Sequence, residues 1–571
     1  MVDQPYDVVI VGGGHNGLTA AAYLARAGRS VCVVERRPVL GGACVTEELI
    51  PGAKFSSCAY IVSSLIPEII EGLELKKYGL DLYSTEAMNF VMGPQHDHLI
   101  LWRDVDRTIR ELEATSAKDA ANFVEFGTRL RLFGDTIRPF VLSSPPTLSE
   151  VVATFERAGR IDLFHEFATL SIGDLVDRYF DSETLKGCLM FSALVSTVAG
   201  PDSPGSAYEF SHHSWGEFEG HFGRFGYAVG GMGAIAESLA ASARAAGCEI
   251  VLNAGVRKIL SRSREVTGVE LDDGTVLHSS IVISNADPRT TLRTLVDEGE
   301  LPRETRRQVD QIDMRGSMGR VHFLVDRLPQ YDGMPSGPGP QHAAFALLGV
   351  GREEFERTRE SQLEGRIASH YPIELLIPSV SDPSLAPPGL HTVTTGAQQI
   401  PFHLASGDWD SRGQEFVDSI VRSIESFAPG FESSIRSTVS ITPLDLERTY
   451  GLPEGNIFHG AMSLNQLFAS RQVAGSNGYG TPIRGLYLCG AGMHPGGAVM
   501  GAAGHNAAMS LLEGSSPRRH SSRAPRATGR LENLIMNDSR LHRLRYRVAR
   551  NRLARPMVSA LTRRRKSNAV R

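Results

Sequence analysis

Three glycines, Gly12, Gly14 and Gly17, constrain this chain more than any other feature. They follow Val8 to Val11, an apolar β-branched run suited to a parallel strand buried on both faces, and they open an alanine-rich stretch suited to a helix. Each glycine answers a physical need. Gly12 allows a tight turn, Gly14 lets backbone approach a pyrophosphate, and Gly17 lets the helix pack closely on the strand. The helix N-terminus, with its free N–H groups and positive dipole end, then favours that anion without a lysine. Gly28 is placed to end the helix in a left-handed conformation. A second strand, Ser30 to Val34, runs into Glu35, whose carboxylate can accept from both hydroxyls of an adenosine ribose. Strand, glycines, helix, strand and acid in this order predict an α/β fold with a Rossmann-type dinucleotide-binding domain.

Beyond Glu35, the residues Arg36, Arg37, Leu40, Gly41 and Gly42 complete an ERRxxLGG pattern. It resembles the second signature of glutathione-reductase-like FAD proteins, found in amine oxidases and phytoene desaturases. The resemblance implies FAD rather than NAD, with Gly41 and Gly42 beside the pyrophosphate and Arg36 along the adenosine. GGGHNGL, ERRPVLGGACVTEELIPGAKFSSCAY and LELKKYGL extend it towards the phytoene desaturases, and the GHNGL turn is shared with carotenoid ketolases. It implies an FAD-dependent oxidoreductase that takes a hydride or its equivalent from a largely apolar small molecule, in a family with mitochondria-associated eukaryotic members. The electron acceptor is open. No second strand-GxGxxG-helix unit is found, so NAD(P)H has no support in the sequence. Cys32, Cys44, Cys58, Cys188, Cys248 and Cys489 form no close pair, which argues for a reducing compartment and against a redox dithiol or structural zinc.

The dinucleotide domain is expected to be discontinuous, built from 1–86, 224–300 and 441–514. A mixed α/β substrate or cap domain from 87–223 and 301–440 is inserted into it. The first insertion reads as mainly helical, with periodic stretches at Ala117 to Phe133 and Pro146 to Asp174. His212, His213 and Trp215 within it invite a metal, but neighbouring side chains point apart and no partner has ligand spacing, so structural histidines and no metal are expected. From Tyr227 the chain returns to the dinucleotide domain with a helix from about Gly233 to Ala246 and a series of strands turning at Asp272, Asp273 and Gly274. By the resemblance Val256 presents its backbone to the adenine edge; on sequence alone an ordinary strand valine is nearly as good a reading. In the second insertion, Gly319 to Val325 and His391 to Gly396 read as strands and Gln414 to Phe427 as a helix. His459 and Gln466 are candidates for lining the pocket, with satisfied structural roles the better expectation.

GLYLCGAGMHPGGAVMGAAGHNAAMSLL is the partner of the opening motif. It reads as a strand, Gly485 to Cys489, a glycine-rich turn, and a helix from about Ala498 to Leu512. Gly497, Gly501, Gly504 and Ala508 recur at helical spacing as a stripe for close backbone approach. By the resemblance Gly490 lies by the pyrophosphate and ribityl chain, and Gly497, Val499 and Met500 by the isoalloxazine ring. One departure is Ala491, where related flavoproteins often carry an acid. His494 in the HPGG turn is the one weak candidate for a catalytic base, and shaping the loop is the alternative.

The net charge of −5 conceals an asymmetry: from Ser515 onwards sixteen arginines and one lysine face only Glu532 and Asp538, so this tail carries +15 and the preceding 514 residues −20. Leu541, Leu544 and Val548 give it a short apolar stripe. Contact with an anionic membrane, a solvated disordered tail and an RNA contact all remain open, disorder being the larger expectation and specific nucleic-acid binding not expected. With 42% hydrophobic and 22% charged residues, no apolar run of transmembrane length and no room for a leader before the first strand, a cytoplasmic globular protein is expected, with peripheral membrane contact open. Oligomeric state is not legible. A non-enzymatic alternative is a regulator or scaffold in which bound FAD is structural.

Overall fold

The structure, a computed structural model, describes residues 5–214, 216–473 and 478–514. Trp215 and the basic tail 515–571, with the disorder, lipid and RNA readings left open for it, lie outside the described residues. One core is built on a five-stranded, wholly parallel sheet that draws strands from both ends of the chain. Its strands are β1 (Val8–Val11), β2 (Val31–Val34), β3 (Glu249–Val251), β4 (Val282–Ser284) and β5 (Leu486–Leu488), in the order β3-β2-β1-β4-β5. Every residue of β1 and β2 is buried, the signature of a parallel sheet covered on both faces. Helices α1 (His15–Arg26), α2 (Gly233–Ala245) and α3 (Ala502–Gly514) pack around it. Gly28, at φ +82°, ends the α1 connection as expected.

The second sheet has seven strands and draws on widely separated segments. Its order is 435–441, 317–325, 391–400, 373–376, 345–348, 87–92 and 98–102. Residues 87–102 therefore form a hairpin of this sheet rather than the start of a helical insertion. Ala87–Met92 is buried on both faces beside Phe345–Leu348, so it shows no alternation by which a strand is recognised. Helices begin at Val105 and continue through Ala117–Ile137, Leu148–Arg157, Ile172–Tyr179, Glu183–Ala193 and Ser206–Ser214. Their starts are written locally: Ser116, Ser171 and Ser182 cap backbone N–H groups, and Thr147 with Glu150 forms a capping box. These helices share one aromatic core that includes Phe126, Phe133, Phe155 and Phe167.

A second correction concerns α3. It begins at Ala502, not near Ala498, because Ala498 (φ +95°) and Gly501 (φ +76°) leave the helical region. Gly497 and Gly501 are thus outside the helix; Gly501 packs near Thr19 and Ile69, and Gly504, inside it, against α1. A Cβ on Gly504 would lie 2.0 Å from the Asn16 carbonyl oxygen of α1. Gly504→Ala is expected to lower stability by about 1–3 kcal/mol through overpacking. Gly127→Ala, in an exposed helix interior with open space around it, should raise stability by about 0.5–1 kcal/mol. Thermal melts of the two variants check both signs.

Candidate functional site

The carboxyl ends of β1, β2, β4 and β5 converge on one crevice, the place where open α/β sheets bind ligands. Gly12 leaves β1 at φ +95°, and its N–H donates to the Val34 carbonyl at 2.8 Å. Asn285, directly after β4, covers the turn. A Cβ on Gly14 would lie 2.5 Å from the Asn285 amide nitrogen, and one on Gly17 only 2.3 Å from the Gly12 carbonyl oxygen. The second glycine pair closes on the first: the Gly41 N–H donates to the Gly13 carbonyl at 2.9 Å, and Gly42 stands against the Gly14 Cα.

Glu35 is buried at the end of β2 and accepts from two backbone N–H groups, Gly13 at 2.7 Å and Arg37 at 2.9 Å, one on each oxygen. Each oxygen retains acceptor capacity for a hydroxyl. Val256 is brought nearby, because the segment before it is pinned to this loop by Ala254 N–H to the Glu35 carbonyl at 2.8 Å. Arg36 runs the other way. Its guanidinium donates to the Thr449 carbonyl at 3.0 Å and so caps the helix Pro443–Tyr450. Arg37 instead pairs with Glu47 at 2.5 Å and lies over the Tyr450 ring.

Across the crevice the chain after β5 makes a second close approach. A Cβ on Gly490 would lie 2.6 Å from the Asn285 carbonyl oxygen, and one on Gly497 only 2.0 Å from the Phe458 ring. His494 is buried; its Nε2–H donates to the Phe140 carbonyl at 2.8 Å, and its own carbonyl accepts from the Tyr479 hydroxyl at 2.9 Å. The ring thereby ties the turn to residues 138–140. His212 performs a similar task, donating from Nε2 to the Gly497 carbonyl at 2.9 Å, while the His213 ring bonds the Ser192 carbonyl at 3.0 Å. Both histidines are thus engaged with backbone, and no cluster of potential metal ligands occurs among the described residues. Met500 is buried against Val141 and Ala502, and Val499 is half-buried beside it. Ala498, a non-glycine residue at φ +95°, stores strain just before them.

The residue that organises this side was not legible in the sequence. Arg471 is buried and has no carboxylate partner among the described residues; it donates to the carbonyls of Phe458, Gly460, Ala461, Gln466 and Ala491 at 2.6–3.2 Å. It fastens the 458–466 loop onto the residue after Gly490, and burial draws its guanidinium down to about 10. His459 and Gln466 line a neighbouring cavity of about 560 Å³.

These features fit a dinucleotide with a polar linking chain. The glycine cradle leaves no room for side chains, Glu35 has acceptor capacity to spare, and three buried polar atoms beside the crevice, His15 Nε2, His459 Nδ1 and Asp287 Oδ2, have no partner among the described residues. A ligand that can donate and accept would satisfy them.

Between the two sheets lies an aromatic wall. The Ala59 N–H donates to the carbonyl of Ala43, next to Gly42, and leads the chain to Tyr60. Tyr60 stacks on Phe345 at 5.8 Å, and Phe225 stands edge-on to both Phe345 and Tyr227. Arg320, buried in the seven-stranded sheet, covers the Tyr60 ring at 3.8 Å and pairs with buried Glu374, which also accepts from the Tyr60 hydroxyl.

Residues 17–512 match the family of flavin containing amine oxidoreductases. The chain belongs to that family. FAD is accordingly its cofactor, and it is an oxidoreductase. Among its relatives, the pyridine nucleotide-disulfide oxidoreductase domain-containing protein 2 of Rattus norvegicus is 38% identical over 537 residues, 88% of this chain and 92% of that protein. The phytoene desaturase (neurosporene-forming) of Cereibacter sphaeroides is 26% identical over 528 residues, 89% and 95% of the two chains. An oxidoreductase from Methanosarcina mazei shares the fold at a TM-score of 0.58 with 17% identity, covering 89% of this chain and 99% of the other. The six cysteines of this chain are separate buried free thiols. No helix among the described residues is long and apolar enough to cross a membrane.

Burial holds His15 and His494 down at about 4, and His212 and His322 at about 3. Their ordinary value in an unfolded chain is about 6.5, so between that pH and about 4 the unfolded chain binds protons that the native one refuses. Stability is therefore full above about pH 6.5 and falls as the pH drops, by up to about 1.4 kcal/mol per histidine for each pH unit. Melting temperatures from pH 7.5 to 5 should show the decline, and His494→Gln should flatten it.

Proposed function

We propose that this protein is an FAD-dependent dehydrogenase that removes a hydride equivalent from a largely apolar substrate. The observation that carries this reading is the wall of Tyr60, Phe225, Tyr227 and Phe345 between the dinucleotide crevice and the seven-stranded sheet. Such a wall offers apolar area and ring faces. Its carboxylate, Glu374, is already engaged by Arg320 and the Tyr60 hydroxyl, so it supplies no free anion to an ammonium group. A relative that acts on phytoene, a hydrocarbon, supports the same substrate class.

Bound FAD supplies the two-electron acceptor chemistry. We assign the holding of it to Gly12, Gly14, Gly17, Glu35, Gly41, Gly42 and Val256 on one side, and to Gly490, Gly497, Val499 and Met500 on the other. In this reading Arg36 reaches the adenosine only by leaving its place on the Thr449 carbonyl. Arg471 keeps the 458–466 loop in register with the turn after β5, and the aromatic wall excludes water and aligns the substrate. Alignment contributes much of the rate in such a transfer, so a neutral, backbone-bonded His494 fits a loop-shaping role better than that of a base.

The visible spectrum followed by anaerobic titration tests the reading. Polyenes or terpenes should bleach the flavin band while simple amines leave it unchanged. Bleaching by amines alone would overturn the substrate class, and a bound flavin that no donor reduces would favour a structural cofactor. Phe225→Leu should slow flavin reduction by the apolar donor about tenfold, a loss of about 1.4 kcal/mol, without releasing FAD. Gly14→Val should yield colourless protein.

A further inference from the structure

The crevice contains a carboxylate for which the dinucleotide motifs give no use. Asp287 lies just past the end of β4 and is fully buried. Its Oδ1 accepts from the Thr290 N–H at 2.9 Å, at the start of the helical turn Thr290–Leu295. Its Oδ2 is buried and has no partner among the described residues. Beside it stands His459, whose ring burial holds below its ordinary value, the Asp287 carboxylate offsetting part of that effect. His459 Nδ1 is likewise buried and unpartnered, and it lies 3.1 Å from where a Cβ on Gly490 would be. His15, on the other side, leaves Nε2 unpartnered. The His459 backbone is held at φ +57°, a conformation that non-glycine residues adopt sparingly.

We propose that Asp287 and His459 form the polyol-binding corner of the FAD site, receiving hydroxyls of the ribityl chain. They take the role of the acid that this chain lacks at Ala491. The inference rests on the FAD assignment and adds residues to it. The chemistry selects the portion of the cofactor. A buried carboxylate repels phosphate but accepts a hydrogen bond from a hydroxyl, and a hydroxyl that donates to Asp287 still has lone pairs for an imidazole N–H. Phosphate belongs instead to the N-terminus of α1 and the glycine turn, where backbone N–H groups face it. The hydroxyl chain therefore lies between the two anion-sensitive regions, with Gly490 as the point of closest backbone approach. His459 and Asp287 come from loops 172 residues apart in sequence, which is why neither is recognisable as a motif.

The experiment uses full-length protein stripped of FAD and titrated with FAD, and with FAD analogues each lacking one ribityl hydroxyl, by flavin fluorescence and calorimetry. Asp287→Asn should weaken FAD at least tenfold while the melting temperature of the stripped protein stays near that of wild type, because the amide oxygen can still accept from Thr290. One deoxyribityl analogue should bind wild type correspondingly more weakly, yet bind Asp287→Asn no worse than FAD does. His459→Gln provides a second variant, expected to weaken FAD severalfold with the same loss of discrimination. Unchanged FAD affinity in both variants would overturn the proposal, as would a loss in Asp287→Asn that is equal for FAD and every analogue and accompanied by a lower melting temperature. The latter result would mean that Asp287 only secures the turn at Thr290. Wild-type protein that takes up no FAD at all would instead overturn the cofactor assignment, and this inference with it.

Discussion

Backbone touching backbone on two sides of one helix is the constraint from which the rest of the molecule follows. α1 is clamped at Gly17 against the Gly12 carbonyl, and at Asn16 against Gly504 of α3. Neither contact admits even a methyl group, so the helix N-terminus has one position available to it. That position puts its free N–H groups at the carboxyl end of β1, under Asn285 and facing the turn at Gly490. The interior is packed as tightly as an organic crystal, so displacement here is not absorbed locally. A shift of α1 would move both halves of the crevice at once.

The second organising theme is how charge is handled where water is excluded. Arg471 is satisfied by carbonyl oxygens, Arg320 by Glu374, and His494 by a carbonyl with its ring left neutral. Unpaired charge in such surroundings is costly, and each of these groups avoids the cost differently. The result is a weakly polar interior between the sheets, in which dipoles from fixed loops act with little screening. It suits a substrate with few polar groups and a transfer that needs no ionised side chain. The buried Arg471 places its positive charge within the loop framework without presenting an ionised base to the substrate.

Much of the dinucleotide domain's opening stretch was legible because its signals are local. Val8–Val11, the glycine turn and Glu35 lie within one short stretch, and each residue type answers a backbone need that can be stated before the structure is seen. The resemblance carried by ERRxxLGG and by the closing segment led to the family and to FAD, which the match over residues 17–512 establishes. Elsewhere, local signals misled or were silent. Ala87–Met92 lost its strand alternation by being buried on both faces. The start of α3 was misplaced because Ala498 takes a left-handed conformation that its residue type does not announce. Asn285 and Arg471 work largely through partners distant in sequence, and the one local bond of Asp287, from the Thr290 N–H, looks like an ordinary turn, so nothing around them marks them out.

The parallel sheet also sets a schedule for the chain's own making. β1 pairs with β2 soon after both are synthesised, but its other edge pairs at Val282, and β4 in turn with Leu486. At about 5–20 residues per second, β1 waits roughly 15 to 55 s for β4 to leave the ribosome. Throughout that interval Val8–Val11 presents an apolar edge with unpaired backbone groups, a template for pairing with another chain. The helices of 105–214 are local enough to form meanwhile, but none of them supplies the missing strand. Yield in a cell therefore depends on shielding that edge until the distant half of the sheet arrives, and slowing translation between residues 34 and 282 lengthens the exposure.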